Sequence, residues 1–120
     1  MKNCIMKIND NDKIEATEVQ MEGVKDVTMK ILIGPEDGSD GIIMRKFNIA
    51  PGGHTPRHKH NYEHVVKVES NRGILVDENG VEHELKNGQS AFVKPNDLHQ
   101  FRNPYEEDFE FLCIIPNPNA

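Results

Sequence analysis

Short runs rich in Val, Ile and Phe recur along the chain, separated by tight polar turns, and nowhere does an apolar stripe keep a 3.6-residue period over a helix length. The runs at 26–33, 42–49, 64–69, 73–77, 81–86, 90–94 and 108–115 read as strands, with further short runs at 99–102 and near 14–20. Between them stand Gly34-Pro35-Glu36-Asp37-Gly38, Ala50-Pro51-Gly52-Gly53, Asn71-Arg72-Gly73, Glu78-Asn79-Gly80, Asn87-Gly88 and Pro95-Asn96-Asp97, all turn chemistry. Asn79-Gly80 predicts a hairpin between 73–77 and 81–86, because both residues tolerate the positive φ of a tight turn. Evenly spaced short antiparallel strands predict an all-β jelly roll or barrel of two sheets, with little helix.

Successive side chains on a strand point to opposite faces, so alternation tells which side is buried. On 64–69 the even positions His64, Val66 and Val68 face inward, against Lys67 and Glu69 outside. On 42–49 the odd positions Ile43, Phe47 and Ile49 face inward, and that set also contains Arg45. An inward guanidinium needs a partner, since an unpaired buried charge costs several kcal/mol. Phe47, Phe92, Phe101, Phe109 and Phe111 read as core.

Length and charge narrow the class. A chain of 120 residues is expected to build one core: a barrel over 26–116, an N-terminal arm over 1–25 and a short tail over 117–120. A net charge of −6 disfavours nucleic acid and anionic membranes as partners. Cys4 and Cys113 are far apart and flanked by apolar residues, as small core side chains are, rather than as a disulfide framework. No window resembles a secretory signal or a membrane span, and a soluble cytoplasmic protein is expected.

The chemistry lies in the histidines. His58 and His60 are spaced i, i+2, which on an extended chain sets both imidazoles on one face. His64 follows a short segment and already faces inward, and His99 stands just before Phe101 on a strand edge that can close the site from across the barrel. A single histidine on an apolar face is usually a hydrogen-bonded core residue. Four at these offsets favour convergence on one divalent transition-metal ion (Mn, Fe, Ni, Zn or Co), because neutral imidazole is a good ligand for such ions. His54 and His83 read as surface or strand-edge residues, and Arg57 and Lys59, alternating with the ligands, face solvent.

These residues resemble the two motifs of the cupin superfamily, G-x5-H-x-H-x3,4-E-x6-G and G-x5-P-x-G-x2-H-x3-N. The first reads Gly52, His58, His60 and then His64 where cupins usually carry Glu, with Asn71 at the closing glycine position and Gly73 two residues beyond. The second reads Gly88, Lys94 for Pro, Asn96 for Gly, His99 and Asn103. The resemblance runs from about Arg45 to Ile115 and implies a double-stranded β-helix with a metal ion inside the barrel. It carries ligand roles onto His58, His60 and His99. His64 matches only by position, in the manner of small bacterial cupins with an H-x-H-x2-E-H pattern in which four histidines hold the metal. Glu63 is an alternative ligand, though strand parity turns it away from His64.

Four neutral ligands would leave the ion's charge uncompensated, which favours an anionic substrate and Lewis-acid chemistry over a stable trivalent ion. Arg45 then reads either as a bidentate anchor for a substrate carboxylate or as the partner of a glutamate such as Glu110. Tyr62 reads as a gate, a proton donor or a residue packed over the ligand loop. Three functions stay open: a metal-dependent isomerase, decarboxylase or lyase acting on a small carboxylate- or enol-bearing molecule, an Fe(II)-dependent dioxygenase, and a non-enzymatic module binding a small molecule or metal. A homodimer is expected, with the N-terminal arm able to cross to the neighbour as an edge strand.

Overall fold

Strand β3 (Ile42–His54) is the spine to which the other ladders attach. The structure, a computed structural model, describes residues 6–120. In chain order the remaining strands are β1 (Thr17–Glu18), β2 (Lys25–Ile33), β4 (His64–Ser70), β5 (Arg72–Val76), β6 (Glu82–Lys86), β7 (Ser90–Val93), β8 (Gln100–Arg102) and β9 (Phe109–Pro116). Two 3-10 turns, Asn11–Lys13 and Pro35–Asp37, are the only helical pieces among the described residues. None is a helix long and apolar enough to cross a membrane.

Every ladder is antiparallel, in the order β6-β5-β8-β3-β9-β4-β7, with β2 on the free side of β3 and β1 on β2. The sheet rolls so that β5, β6 and β8 close over β9 and β4, giving the jelly-roll barrel that the spacing of strands and turns predicts. Alternation fixes the inside. β4 buries His64, Val66 and Val68, and β9 buries Phe109, Phe111, Cys113 and Ile115. Phe109 and Phe111 are 0% and 1% exposed and form the centre of the core with Ile49, Val66 and Phe101; burying each phenyl ring contributes about 2–3 kcal/mol.

Two expectations are corrected. The first is the end of the second strand, expected at residue 49. It continues through Ala50-Pro51-Gly52-Gly53 to His54, because Gly52 takes φ +82° and Gly53 runs so close to β2 that a Cβ there would lie 2.6 Å from the Lys25 carbonyl. The second is Phe92, which is 62% exposed rather than core, since its register with Val65 sets both on the outer face. Near 14–20 only Thr17 and Glu18 pair as a strand. Cys113 is buried, while Cys4 lies outside the described residues.

Candidate metal centre

Three stretches of chain bring the histidines to one end of the barrel. Beyond β3, Thr55 is locked to Phe101: its N–H donates to the Phe101 carbonyl at 2.8 Å, and its Oγ1 accepts from the Phe101 N–H at 2.9 Å. Two residues before Phe101, His99 bridges back to His58, so this pairing carries the 58–60 segment along the strand edge. The Asn96 N–H donates to the His60 carbonyl at 2.6 Å and ties the turn before His99 to the same segment. His64 opens β4 opposite Val93. Asn71 and Asn96, which stand at two glycine positions of the motifs, take φ of 63° and 68°. Asparagine is among the few residues that accept this left-handed conformation, so the departures keep the turns intact.

The ring nitrogens of His58, His60 and His99 lie within 4.8 Å of one another, close enough to hold one metal ion. His64 stands beside this group, its ring centroid 5.1 Å from that of His60 and 5.0 Å from that of His99. Burial, followed by the charges of His60, His99 and Arg45, lowers the pKa of His58 to about 4. Burial and the surrounding His99, His60, Arg45 and His58 lower His64 to about 3. His60 and His99 are also lowered, chiefly by burial. The rings are therefore neutral near pH 7, as metal ligation requires.

Two further details fit a metal. The Nδ1–H of His99 donates to the Asp97 carbonyl at 2.8 Å, which leaves Nε2 as the lone-pair nitrogen. His64 Nδ1 is buried without a hydrogen-bond partner among the described residues. Glu63 is exposed and takes no part in the group, as strand parity predicts. Elsewhere His83 pairs with Asp77 at the surface, and His54 contacts the Thr55 carbonyl.

Arg45 lines the same cavity, but its partner is not Glu110. That carboxylate faces the other side of the sheet and is taken by Lys46, Asn48 and Ser70. Arg45 instead donates from Nη2 to Cys113 Sγ at 3.2 Å and lies 4.9 Å from the Phe47 ring centroid, while its Nε is buried without a partner among the described residues. Tyr62 stacks on His60 at 5.0 Å, nearly parallel, and also lines the cavity.

Sequence reasoning missed one wall. Val19, Met21 and Val24, in the weakly patterned segment before β2, line the cavity together with Met29. Their signal was apolar residues at two-residue spacing, Val19 and Met21, in a stretch that pairs as a strand only at Thr17 and Glu18.

Known proteins carry the same plan. A 1-methylthio-D-xylulose 5-phosphate methylsulfurylase from Rhodospirillum rubrum is 31% identical over 99 residues, and the match covers 76% of this chain and 56% of that protein, so the chain spans little more than half its relative's length. The polyketide cyclase RemF from Streptomyces resistomycificus superposes with a TM-score of 0.90 at 29% identity, covering 94% of this chain and 80% of that one. A predicted oxalate decarboxylase from Thermotoga maritima shares the fold, with a TM-score of 0.80 at 24% identity over 92% of this chain and 98% of its own. A family model described as "Cupin domain" matches residues 45–115, the stretch that holds both histidine motifs. The chain belongs to the cupin family.

Proposed function

We propose that this protein is a metal-dependent enzyme of the isomerase, decarboxylase or lyase type, acting on a small carboxylate- or enol-bearing molecule. The observation that carries this reading is one cavity whose wall holds His58, His60, His64 and His99 and also Arg45 with an unpartnered Nε. His58, His60 and His99 would hold the ion, and His64 would complete the set with its own imidazole. Bound there, a divalent ion would polarise an oxygen of the substrate. Arg45 would fix an acidic oxygen by charge-assisted hydrogen bonds, and Tyr62, stacked on His60, would shield the site from water or pass a proton through its hydroxyl.

The neutral donor set favours this class over an Fe(II)-dependent dioxygenase, since no ligand carboxylate would compensate a more highly charged ion. The polyketide cyclase RemF, a structural relative at 29% identity, is in keeping with chemistry at an enol or a carboxylate.

The test is direct: metal-loaded protein is mixed with β-keto acids, dicarboxylates and enolisable ketones, and turnover is followed by NMR. Metal-dependent loss of CO2 or isomerisation of one class is the expected result. Tight binding without turnover of any compound would move the protein to the non-enzymatic reading, and oxygen uptake with Fe(II) would move it to the dioxygenase.

A further inference from the structure

Building on the reading above, we propose that the substrate is a flat conjugated molecule of about two fused rings bearing a single acidic oxygen group, and not a sugar phosphate or a small aliphatic acid. The cavity measures about 270 Å3. An apolar cavity of about 150 Å3 accepts one benzene ring, so this one has room for a second.

Its walls are chosen for such a guest. Phe101 and Phe111 stack at 4.6 Å and Phe47 and Phe111 at 5.4 Å, giving the cavity an aromatic floor. Met21 and Met29 face it, and thioethers pack well against aromatic edges. Flat rings meet both surfaces with favourable offset or edge contacts.

The charges in the wall point the same way. Among the described residues, Arg45 and Glu18 are the only Lys, Arg, Asp or Glu side chains that line it. A phosphate monoester brings nearly two negative charges and three strong acceptors, and a sugar adds hydroxyls that each need a partner. One guanidinium with a spare Nε donor suits a single carboxylate, phenolate or enolate.

The apolar half of the wall, Val19, Met21, Val24 and Met29, also lies outside residues 45–115, the stretch matched as a cupin domain. Recognition of the ring body is thus assigned to the N-terminal segment and β2, while the barrel over residues 45–115 supplies the imidazoles and Arg45.

The experiment is calorimetric titration of protein, both metal-free and loaded with Mn(II), with 3-hydroxy-2-naphthoate, ribose 5-phosphate and pyruvate. Naphthoate is expected to bind at least tenfold more tightly than either other compound. Arg45→Met is expected to weaken it at least tenfold, and Met21→Asn, at a half-exposed position that does not threaten the fold, severalfold. Ribose 5-phosphate or pyruvate binding as tightly as naphthoate, or naphthoate binding unaffected by both substitutions, would overturn the proposal. Failure of Mn(II) to bind strikes the metal-enzyme reading instead: naphthoate recognition that persists in metal-free protein and depends on Arg45 would still uphold the substrate class, and its absence there would refute it.

Discussion

His58 and His99 exchange both of their backbone hydrogen bonds, N–H to carbonyl at 3.0 Å and 2.9 Å, in an isolated antiparallel bridge. Main chain therefore brings these two imidazoles together, and neither ring is needed to form the bridge. His58→Ala is expected to abolish tight metal binding while leaving the melting temperature of metal-free protein within a few degrees of wild type. His99→Ala should lose the metal too and cost a further 1–2 kcal/mol or so, because His99 is buried and its Nδ1 bond to Asp97 disappears. Elemental analysis and calorimetry on the two variants check both statements; metal retained at full occupancy by either one would refute the assignment.

His64 poses a separate question, since it stands beside the three-histidine group at the position where the family motif carries Glu. If its ring completes the metal site, His64→Ala should weaken metal binding by one or two orders of magnitude, and His64→Glu should restore most of it with the family's usual donor. Competition with a chelator of known affinity measures this. An unchanged affinity in His64→Ala would leave three ligands and make His64 a wall residue.

Protons should act on the metal-free protein through the same rings. Each takes a proton near pH 6.5 in the unfolded chain, whereas the folded protein holds His58 down to about 4 and His64 to about 3, with His60 and His99 lowered as well. The unfolded state thus binds more protons below pH 6.5, and stability there rises with pH. It should be complete above about pH 6.5 and fall steadily as the pH drops towards 4. Asp37 and Asp77, also lowered, add their own loss only below their ordinary value of 3.8. Melting temperatures of metal-free protein between pH 7.5 and 4.5 give the check; a flat profile, or one no steeper than that of the His58→Ala, His64→Ala double variant, contradicts the shifts.

What could be read in advance was local. The alternation on β4 placed His64, the turn residues divided the strands, and two histidine motifs announced one site. What could not be read depends on partners distant in sequence. Arg45 has a glutamate within reach of sequence intuition, but Glu110 faces the opposite side of the sheet, and only the Arg45–Cys113 register reveals the sulfur as its neighbour. The continuation of β3 past Pro51 depends on β2 accepting Gly53 at close range. The cavity wall at Val19 and Met21 comes from a segment with too little pairing to show a strand pattern.

Phe92, the residue misassigned to the core, ends a continuous outer row: Phe92, Val65, Ile114, Met44 and Ile33 lie side by side across β7, β4, β9, β3 and β2. Five strands about 4.8 Å apart and three outward rows make a face on the order of 500 Å2 per copy, enough for a modest two-fold interface. Of the flanking lysines, Lys46 and Lys67 are paired with Glu110 and Glu69 and Lys30 donates to the Asn11 carbonyl, so covering this face strands little charge. A second copy of the chain is the expected occupant. Sedimentation equilibrium should find a dimer at micromolar concentration, and Phe92→Glu combined with Val65→Lys should yield monomer; a monomeric wild type would rule this face out.

Gly73 separates two roles that glycine can play. Its conformation is not left-handed, so an alanine there meets no backbone penalty, yet a Cβ would lie 2.0 Å from Cδ2 and 2.2 Å from Cε2 of Phe109. Phe109 is fully buried and packs at a tilt against Phe111, with ring centroids 5.0 Å apart, so its ring has nowhere to retreat without disturbing the floor beneath the histidines. Overpacking of this kind costs about 1–3 kcal/mol or more. Gly73→Ala should therefore lower the melting temperature by many degrees, while Gly80→Ala, at φ +82° with open space around it, should lose only about 1 kcal/mol to backbone strain. Combining Gly73→Ala with Phe109→Leu should recover part of the loss, because the shorter side chain vacates the contact. Thermal unfolding of the three variants decides: if Gly73→Ala proves no worse than Gly80→Ala, or if adding Phe109→Leu does nothing to relieve it, close packing of Phe109 on the β5 backbone is not what requires glycine here.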